Sequence, residues 1–258
     1  MMRKKNCFTL AELLLVIAIL CLLCVLLFPV FLEIRLKSKG IQCFASLRQL
    51  CGANLLYAAS HQNYLVPYSP NFSESKRHYW FGGENPGSEE SDSSLLPYLN
   101  GNLQELACPA FLSGNQVQNQ CGGYGLNRFM GISRKISASG NELIGLFFGE
   151  KSIYQSGYPL FAVQRPASKI MFGDTAEKIN GAADLQNSFQ NHAAIEPWNE
   201  FSSLFAPSIH FRHQGGEANF VFADGHAESL QMESASPCPL LGLPWSNSAE
   251  SLALHYIP

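Results

Sequence analysis

The chain has 258 residues, of which 47% are hydrophobic and 14% charged, and its formal net charge is −3. This length suits one domain of ordinary size together with a membrane anchor. The sequence has no basic patch of the kind that nucleic-acid-binding proteins need, so we expect no nucleic acid among its partners.

The first predicted element is a long apolar segment that follows a short basic leader. Between Leu10 and Leu32 the only charged residue is Glu12. A helix of about 20 residues, rising about 1.5 Å per residue, crosses a hydrocarbon core about 30 Å thick. We therefore predict a single-pass helix with a cytoplasmic N-terminus and an exported C-terminal part. A cleavable secretory signal is the alternative, but the apolar stretch is too long and lacks a small-residue cleavage site.

Glu12 is unusual in this setting. A carboxylate within a spanning helix costs about 2.5–3.5 kcal/mol at the centre of the membrane and less near an end, so it is expected to have a partner or a function. The alternative is an incidental side chain that reaches up to the lipid headgroups.

Residues 3 to 32 resemble the N-terminal segment of type IV pilins and type II secretion pseudopilins. In that family a basic leader precedes the motif F-T-L-x-E and an apolar helix, and here residues 8–12 read F-T-L-A-E. The resemblance implies cleavage between Cys7 and Phe8 by a membrane prepilin peptidase, followed by N-methylation of Phe8. It also implies that Glu12 is the assembly carboxylate, which neutralises the new α-amino group of a neighbouring subunit.

Two positions depart from the family pattern. Cys7 stands where the family usually has glycine, and Ala11 replaces a larger aliphatic residue. Loss of leader residues 1–7 would leave 14 cations against 20 acidic residues, a formal charge of −6. The family also implies a helix kink near Pro29, which a proline inside a helix favours by itself.

After Phe31 the pattern becomes amphipathic. Apolar residues recur every three or four positions, at Phe44, Leu47, Cys51, Leu55 and Ala58. This spacing places them on one face of a helix. We predict one helix from about Phe8 to about His61. Its membrane half, residues 8–32, precedes an amphipathic half that belongs to an exported head domain, residues 33–258.

Short strands and turns are predicted beyond Val66. Arg165–Asp174 indicates a proline-led turn into a buried strand, and Ala218–Ala223 and His226–Leu230 indicate two more. Asp224-Gly225 between the last two is typical of a type I′ hairpin. The predicted fold class is α+β, with the long helix packed on a small antiparallel β-sheet.

The polar and acidic stretch Gly82–Ser94 is predicted to be a solvated loop. A calcium site, as in some pseudopilins, is the alternative, although the loop lacks the ligand spacing of an EF-hand.

Five cysteines lie beyond the membrane segment, where an oxidising exterior would allow disulfides. Cys43 and Cys51 are about 12 Å apart along a helix and cannot pair. Cys108 with Cys121, which close a loop of Pro, Gly and Asn, is the pair that we favour.

A second resemblance involves His213, Asp224 and Gly225. They fit, with one extra residue near Glu217, the H-x9-D-G segment of a large set of prepilin-type proteins. Four further stretches also look like that set: Cys43–Tyr57, Cys108-Pro109, Tyr124–Asn127 and Pro166–Asp174. The resemblance implies no defined activity for this segment.

The same region holds His210, His213, Asp174 and Asp224, which are of types that bind metals or act as acids and bases. We predict that they make structural hydrogen bonds and assign no firm metal site, cofactor or catalytic residue. Calcium or another metal is the alternative. The sequence contains no Ser nucleophile elbow, phosphate loop or His-Glu-x-x-His motif.

Together these features predict a structural protein and not an enzyme: a pilin-like or pseudopilin subunit of the bacterial cytoplasmic membrane with a periplasmic or extracellular head. Its expected partners are the prepilin peptidase, the lipid bilayer and other pilin or pseudopilin subunits in a homo- or hetero-oligomeric filament. The alternative is a membrane-anchored exported binding or metal-binding protein that uses the pilin-type signal only for targeting.

Overall fold

The computed structural model describes residues 10–68, 71–73, 76–83, 93–99, 106–112, 121–131, 157–178, 189–190, 194–195, 208–235 and 242–243. The predicted cleavage site at Cys7 and Phe8 lies outside these residues, and so does most of the acidic 82–94 loop. The chain divides into two compact units, Met1–Ser38 and Lys39–Pro258.

The first element is helix α1, Leu10–Ser60, with 51 residues and a length of about 77 Å at 1.5 Å per residue. It begins and ends within two residues of the prediction. Glu12 lies in its first turn, and the helix continues through Pro29. The helix ends where Gln62 and Asn63 adopt positive φ angles of 54° and 64°. The backbone N–H of Asn63 then bonds to the carbonyl of Ala58 at 2.8 Å, which satisfies one carbonyl of the last turn.

The second unit contains a short helix, α2, at Pro109–Leu112, and twelve strands within the described residues. The strands are β1 (Asn71–Ser73), β2 (Lys76–Tyr79), β3 (Gly82–Gly83), β4 (Tyr124–Asn127), β5 (Ile170–Asp174), β6 (Glu177–Lys178), β7 (Phe189–Gln190), β8 (Ala194–Ile195), β9 (Glu217–Phe222), β10 (Ala227–Gln231), β11 (Ser234–Ala235) and β12 (Gly242–Leu243). Single 3₁₀ turns occupy Leu96–Tyr98, Leu160–Ala162 and Pro166–Ser168.

The main sheet has the order β10-β9-β5-β4-β8. Its first four strands are antiparallel, as predicted, and the edge strand β8 pairs in parallel with β4. The prediction of an α+β fold is confirmed, with the correction that the sheet is not wholly antiparallel. Three small ladders accompany it: β1-β2-β3, β6-β7 and β11-β12.

The predicted hairpin at Asp224-Gly225 joins β9 to β10, but its turn is not type I′. A type I′ turn needs positive φ at both central residues. Here Gly225 has φ +90°, whereas Asp224 is not at positive φ. The N–H of Gly225 bonds to the carbonyl of Phe222 at 2.9 Å. This geometry fits a type I turn followed by a bulge residue in the left-handed region, a role that suits glycine.

The core of the second unit lies between the C-terminal part of α1 and one face of the sheet. Cys43, Leu47 and Leu50 of the helix are 0–1% exposed and belong to the same apolar cluster as Phe172 and Val221. A second cluster covers the opposite face of the sheet, because side chains alternate along a strand. Its buried members are Ile170, Ile195, Ile209, Phe211, Ala218, Phe220 and Phe222.

Candidate functional site

A group of polar side chains is buried within the second unit, around the last residue of β5. We call it the Asp174 cluster; its members are Cys43, Cys108, Tyr124, Asp174, Arg212 and His213. Cys43 comes from α1, Cys108 from the residue before α2, and Tyr124 from β4, where it lies directly opposite Asp174 in the strand pairing. With Asp174 from β5 and with Arg212 and His213 from the segment before β9, five separate parts of the chain meet here.

Arg212 and His213 reach the cluster because the chain turns tightly before β9. Gly215 and Gly216 have φ angles of 83° and 73°, which L residues with side chains rarely adopt. The turn is closed by a bond from the N–H of His213 to the carbonyl of Glu217 at 3.0 Å and by one from Gly216 back to His213 at 3.1 Å. The two adjacent glycines thus allow the tight turn that places His213 beside Asp174.

The carboxylate of Asp174 is completely buried, and both of its oxygens have hydrogen-bond donors. Its Oδ1 accepts a bond from the Arg212 guanidinium at 2.6 Å. Its Oδ2 lies 2.9 Å from Nε2 of His213 and accepts the backbone N–H of Asn219 at 2.8 Å. The side chains of Arg212 and His213 are 4% and 6% exposed. A buried carboxylate of this kind is stable only with such partners, since removing one typically costs about 3–5 kcal/mol.

These contacts shift the pKa values of Asp174, His213 and Arg212 towards their charged forms. Burial alone would raise the pKa of Asp174, but Arg212 and the bond from His213 outweigh it and lower the pKa to about 2. Burial lowers the pKa of His213, and the hydrogen bonds to Asp174 and Cys108 overcome this and raise it to about 9. Burial lowers the pKa of Arg212, but the charge of Asp174 and smaller effects of Cys108, Cys43 and Tyr124 together outweigh it and raise the pKa, so Arg212 stays charged.

Two thiols face the same point. Sγ of Cys43 lies 3.4 Å from Sγ of Cys108 and 3.3 Å from Oδ1 of Asp174. Burial raises the pKa of the Cys43 thiol well above its usual value. Burial acts in the same direction on Cys108, but bonding with Cys43 and the positive charge of Arg212 hold its pKa well below the usual value. The pKa values of the two neighbouring thiols are therefore shifted in opposite directions.

The predicted disulfide between Cys108 and Cys121 is not formed, since both residues are free thiols. The two segments do lie side by side, with the N–H of Cys108 bonded to the carbonyl of Gly122 at 2.9 Å. The side chain of Cys108 turns away, however, towards Cys43 and Arg212. Cys121 is also buried, and this burial raises its pKa to about 12.

The four residues that sequence analysis offered as metal ligands are not together. Asp174 and His213 meet in the cluster, whereas Asp224 lies in the exposed turn after β9, with its Oδ1 2.5 Å from Nδ1 of His226. Burial raises the pKa of Asp224, but the side-chain and backbone hydrogen bonds with His226 together outweigh it and lower the pKa. His210 has Nδ1 3.3 Å from Arg212, and burial followed by that charge lowers its pKa to about 3. His210 thus borders the cluster through Arg212, and the group of ligand-type atoms includes neither His210 nor Asp224.

Sequence analysis missed three members of the cluster, Tyr124, Arg212 and Cys43, as site residues. Arg212 precedes His213 directly, so an arginine next to a candidate ligand was an available signal. No local pattern marks Cys43, whose place in the cluster depends on the register of α1 against the sheet.

Four ligand-type atoms, one each from Cys43, Cys108, Asp174 and His213, lie within 4.8 Å of one another. Two sulfurs and a nitrogen do not suit calcium, which prefers oxygen ligands. A cysteine beside a histidine is also a nucleophile pattern. The sulfur-bearing residue Cys108 is 0% exposed, however, so a substrate has no direct approach to it in this conformation.

The first unit carries a different kind of feature. Large apolar side chains from Leu10 to Leu36 are 44–77% exposed. Helix α1 is long and apolar enough to cross a membrane, and it is the one such helix in the described parts of the chain.

Comparisons with protein-family models, with curated proteins and with solved structures found no match for this chain.

Proposed function

We propose that this chain is a pilin-like structural subunit that is anchored in a membrane by the N-terminal part of α1 and assembles with other subunits into a filament. In this proposal the prepilin peptidase cleaves before Phe8. Glu12 then pairs with the new α-amino group of a neighbouring subunit, and the second unit is the exported head.

The observation that carries the proposal is the division of α1. Between Leu10 and Leu36 every large apolar side chain is at least 44% exposed. In contrast, Cys43, Leu47 and Leu50 are at most 1% exposed in the core. Continuous apolar surface on this scale requires lipid or protein to cover it. One part of α1 thus belongs to the core of the head, and the other part exposes apolar side chains. The exposed part suits both membrane anchoring and packing against other subunits.

The position of Glu12 supports the assembly part of the proposal. It lies in the first turn of α1, at the start of the apolar stretch. A carboxylate at a helix N-terminus is favoured by the helix dipole. In a bundle of such helices, an ammonium group at the N-terminus of a neighbour would neutralise it, which links burial of the charge to association of the subunits.

The chain contains its own reporters for a test of assembly. Cys21 and Cys24 are exposed on the apolar part of α1, so copies packed side by side would bring these thiols together. The full chain is produced in a bacterial membrane with a prepilin peptidase and oxidised with copper phenanthroline. Species larger than a dimer are expected from wild type and are lost when both cysteines are replaced by serine.

The decisive comparison is Glu12→Gln against the matched control Glu33→Gln, which changes the other carboxylate of α1. We expect Glu12→Gln to stay in the membrane but to lose the crosslinked species, whereas Glu33→Gln retains them. Equal crosslinking by both variants, or wild-type crosslinking that does not depend on Cys21 and Cys24, would contradict the proposal. The apolar part of α1 would then be a plain anchor for an exported binding protein.

A further inference from the structure

We propose that the second unit binds one divalent transition-metal ion of the zinc class through Cys43 Sγ, Cys108 Sγ, a carboxylate oxygen of Asp174 and Nε2 of His213. This site goes beyond the structural role proposed above and does not depend on filament assembly. It also differs from the set His210, His213, Asp174 and Asp224 that the sequence suggested.

The first argument is geometric. Zinc binds sulfur at about 2.3 Å and nitrogen or oxygen at about 2.0–2.2 Å in a tetrahedron, so its ligand atoms lie about 3.3–3.8 Å apart. Here the two sulfurs are 3.4 Å apart, and Sγ of Cys43 is 3.3 Å from Asp174 Oδ1. Sγ of Cys108 is 3.8 Å from Nε2 of His213. Nε2 of His213 lies 2.9 Å from Asp174 Oδ2, whereas Cys43 is close to Oδ1, so the carboxylate must turn for a single oxygen to complete the tetrahedron.

The second argument is charge. Metal binding displaces the protons of the Cys43 thiol and of His213 Nε2 into solvent, so the occupied site holds a neutral imidazole, two thiolates and one carboxylate, with three negative charges in all. A divalent cation together with Arg212, whose guanidinium lies 2.6 Å from Asp174, supplies three positive charges. The occupied site is therefore neutral, which is what a low-dielectric interior requires of buried ions.

The third argument is the direction of the surrounding hydrogen bonds. The hydroxyl of Tyr124 donates to Sγ of Cys43 at 3.2 Å, and Nε of Arg212 donates to Sγ of Cys108 at 3.3 Å. Asp174 accepts from Arg212 and from the N–H of Asn219. Each anionic ligand thus receives a donor from a side chain or backbone group outside the ligand set, as outer partners of metal ligands do.

The same donors weigh against a Cys43–Cys108 disulfide. Neutral sulfur is a weak acceptor, so oxidation would leave the buried Arg212 Nε–H and Tyr124 O–H pointing at poor partners. Thiolates bound to a metal remain good acceptors.

Two sulfurs and an imidazole favour zinc, copper(I) or iron over magnesium and calcium, and divalent cobalt is a spectroscopic substitute for zinc in such sites.

The test uses the full chain in detergent, reduced with a phosphine, freed of metal with a chelator and titrated anaerobically with Co²⁺ alone. We expect saturation at one equivalent, with the visible bands of tetrahedral cobalt and a near-ultraviolet thiolate-to-cobalt band, and displacement of both by Zn²⁺. This wild-type result requires no variant, so a misfolded mutant cannot leave the proposal undecided. Absence of these bands, in protein whose near-ultraviolet circular dichroism shows a folded head, overturns it.

Paired variants then assign the ligands. Cys108→Ser, Asp174→Asn and His213→Gln are compared with the matched changes Cys121→Ser, Asp224→Asn and His226→Gln, which lie outside the cluster. We expect each ligand change to weaken binding at least about 100-fold and each control to change it less than about twofold. Cys108→Ser also halves the thiolate band. Equal affinities within the pairs would overturn the assignment.

Intact mass of freshly exported protein separates the competing outcome. Two missing hydrogens and a peptide linking Cys43 to Cys108, in protein that binds no Co²⁺ after reduction, would show a disulfide in place of the metal and would overturn the proposal. Free thiols with one bound metal support it.

Discussion

The two parts of α1 both carry many apolar side chains but differ in what covers them. Residues 10–38 expose their apolar side chains, whereas the apolar face of residues 39–60 is buried against the sheet, with Leu47 and Cys51 at most 1% exposed. An apolar side chain of α1 therefore stabilises the fold where the rest of the chain packs on it. Where nothing packs on it, the same kind of side chain is available to lipid or to another subunit.

The largest expected difference between the two parts is in folding stability. Leu47→Ala should lower the free energy of unfolding of the head by about 2–5 kcal/mol, because it leaves a cavity in the core. Leu20→Ala, the same change at an exposed position, should alter it by less than about 0.5 kcal/mol. Denaturant unfolding of the full chain in detergent, followed by near-ultraviolet circular dichroism, measures both. Similar losses would break the distinction.

A lysine introduced into each part of α1 tests which part lies in the membrane. Leu20→Lys should cost about 3 kcal/mol of membrane insertion, because lysine is poorly tolerated within a spanning helix. Leu56→Lys is the control, since Leu56 belongs to the second part but is 57% exposed. Fractionation after alkaline extraction should show a smaller membrane-bound share for Leu20→Lys than for Leu56→Lys. Equal retention of the two variants in the membrane would contradict the assignment of residues 10–38 as the anchor.

The smallest expected effect has the opposite sign. Gly52 lies inside α1, and a Cβ added there would meet no atom within 4 Å. Gly52→Ala should therefore stabilise the head by about 0.5–1 kcal/mol through the higher helix propensity of alanine. The same unfolding experiment measures it. A loss of stability would show that this face of the second part contacts more than the described residues.

The sequence predicted α1 and three sheet strands because their signals are local. The apolar spacing from Phe44 to Ala58, the turn residues around Asn63 and the glycine after Asp224 act within a few residues of themselves. The type of the hairpin turn was wrong because Asp-Gly suits more than one turn, and the φ of Asp224 is decided by the pairing of β9 with β10.

The Asp174 cluster could be predicted only in part. Asp174 and His213 stood out by residue type, but Cys43 lies 65 residues from Cys108 and 131 from Asp174 along the chain. No local pattern brings such residues together, since their meeting requires the register of β4, β5 and β9 and the packing of α1. The short sequence distance favoured Cys121 as the disulfide partner of Cys108. In the folded chain, the packing of α1 places the thiol of Cys43 next to that of Cys108 instead.

Asp224 and His226 show how the same residue types differ in a second setting. They form a pair like Asp174 and His213, but their side chains are 34% and 41% exposed, and the bond stabilises a turn in water. Residue type suggested a shared site for both aspartates. Burial separates them, and burial was not readable from the sequence.

The central claim, that residues 10–38 belong to an assembling pilin-like subunit, is tested most directly at the N-terminus. The full chain is co-expressed with a prepilin peptidase, and the mass of the intact protein and of its N-terminal peptide is measured, with Cys7→Gly as the matched variant carrying the residue usual in the family. We predict that wild type begins at Phe8 with one methyl group on its α-amino nitrogen. Chains that still begin at Met1 or Met2 in both proteins would contradict the account.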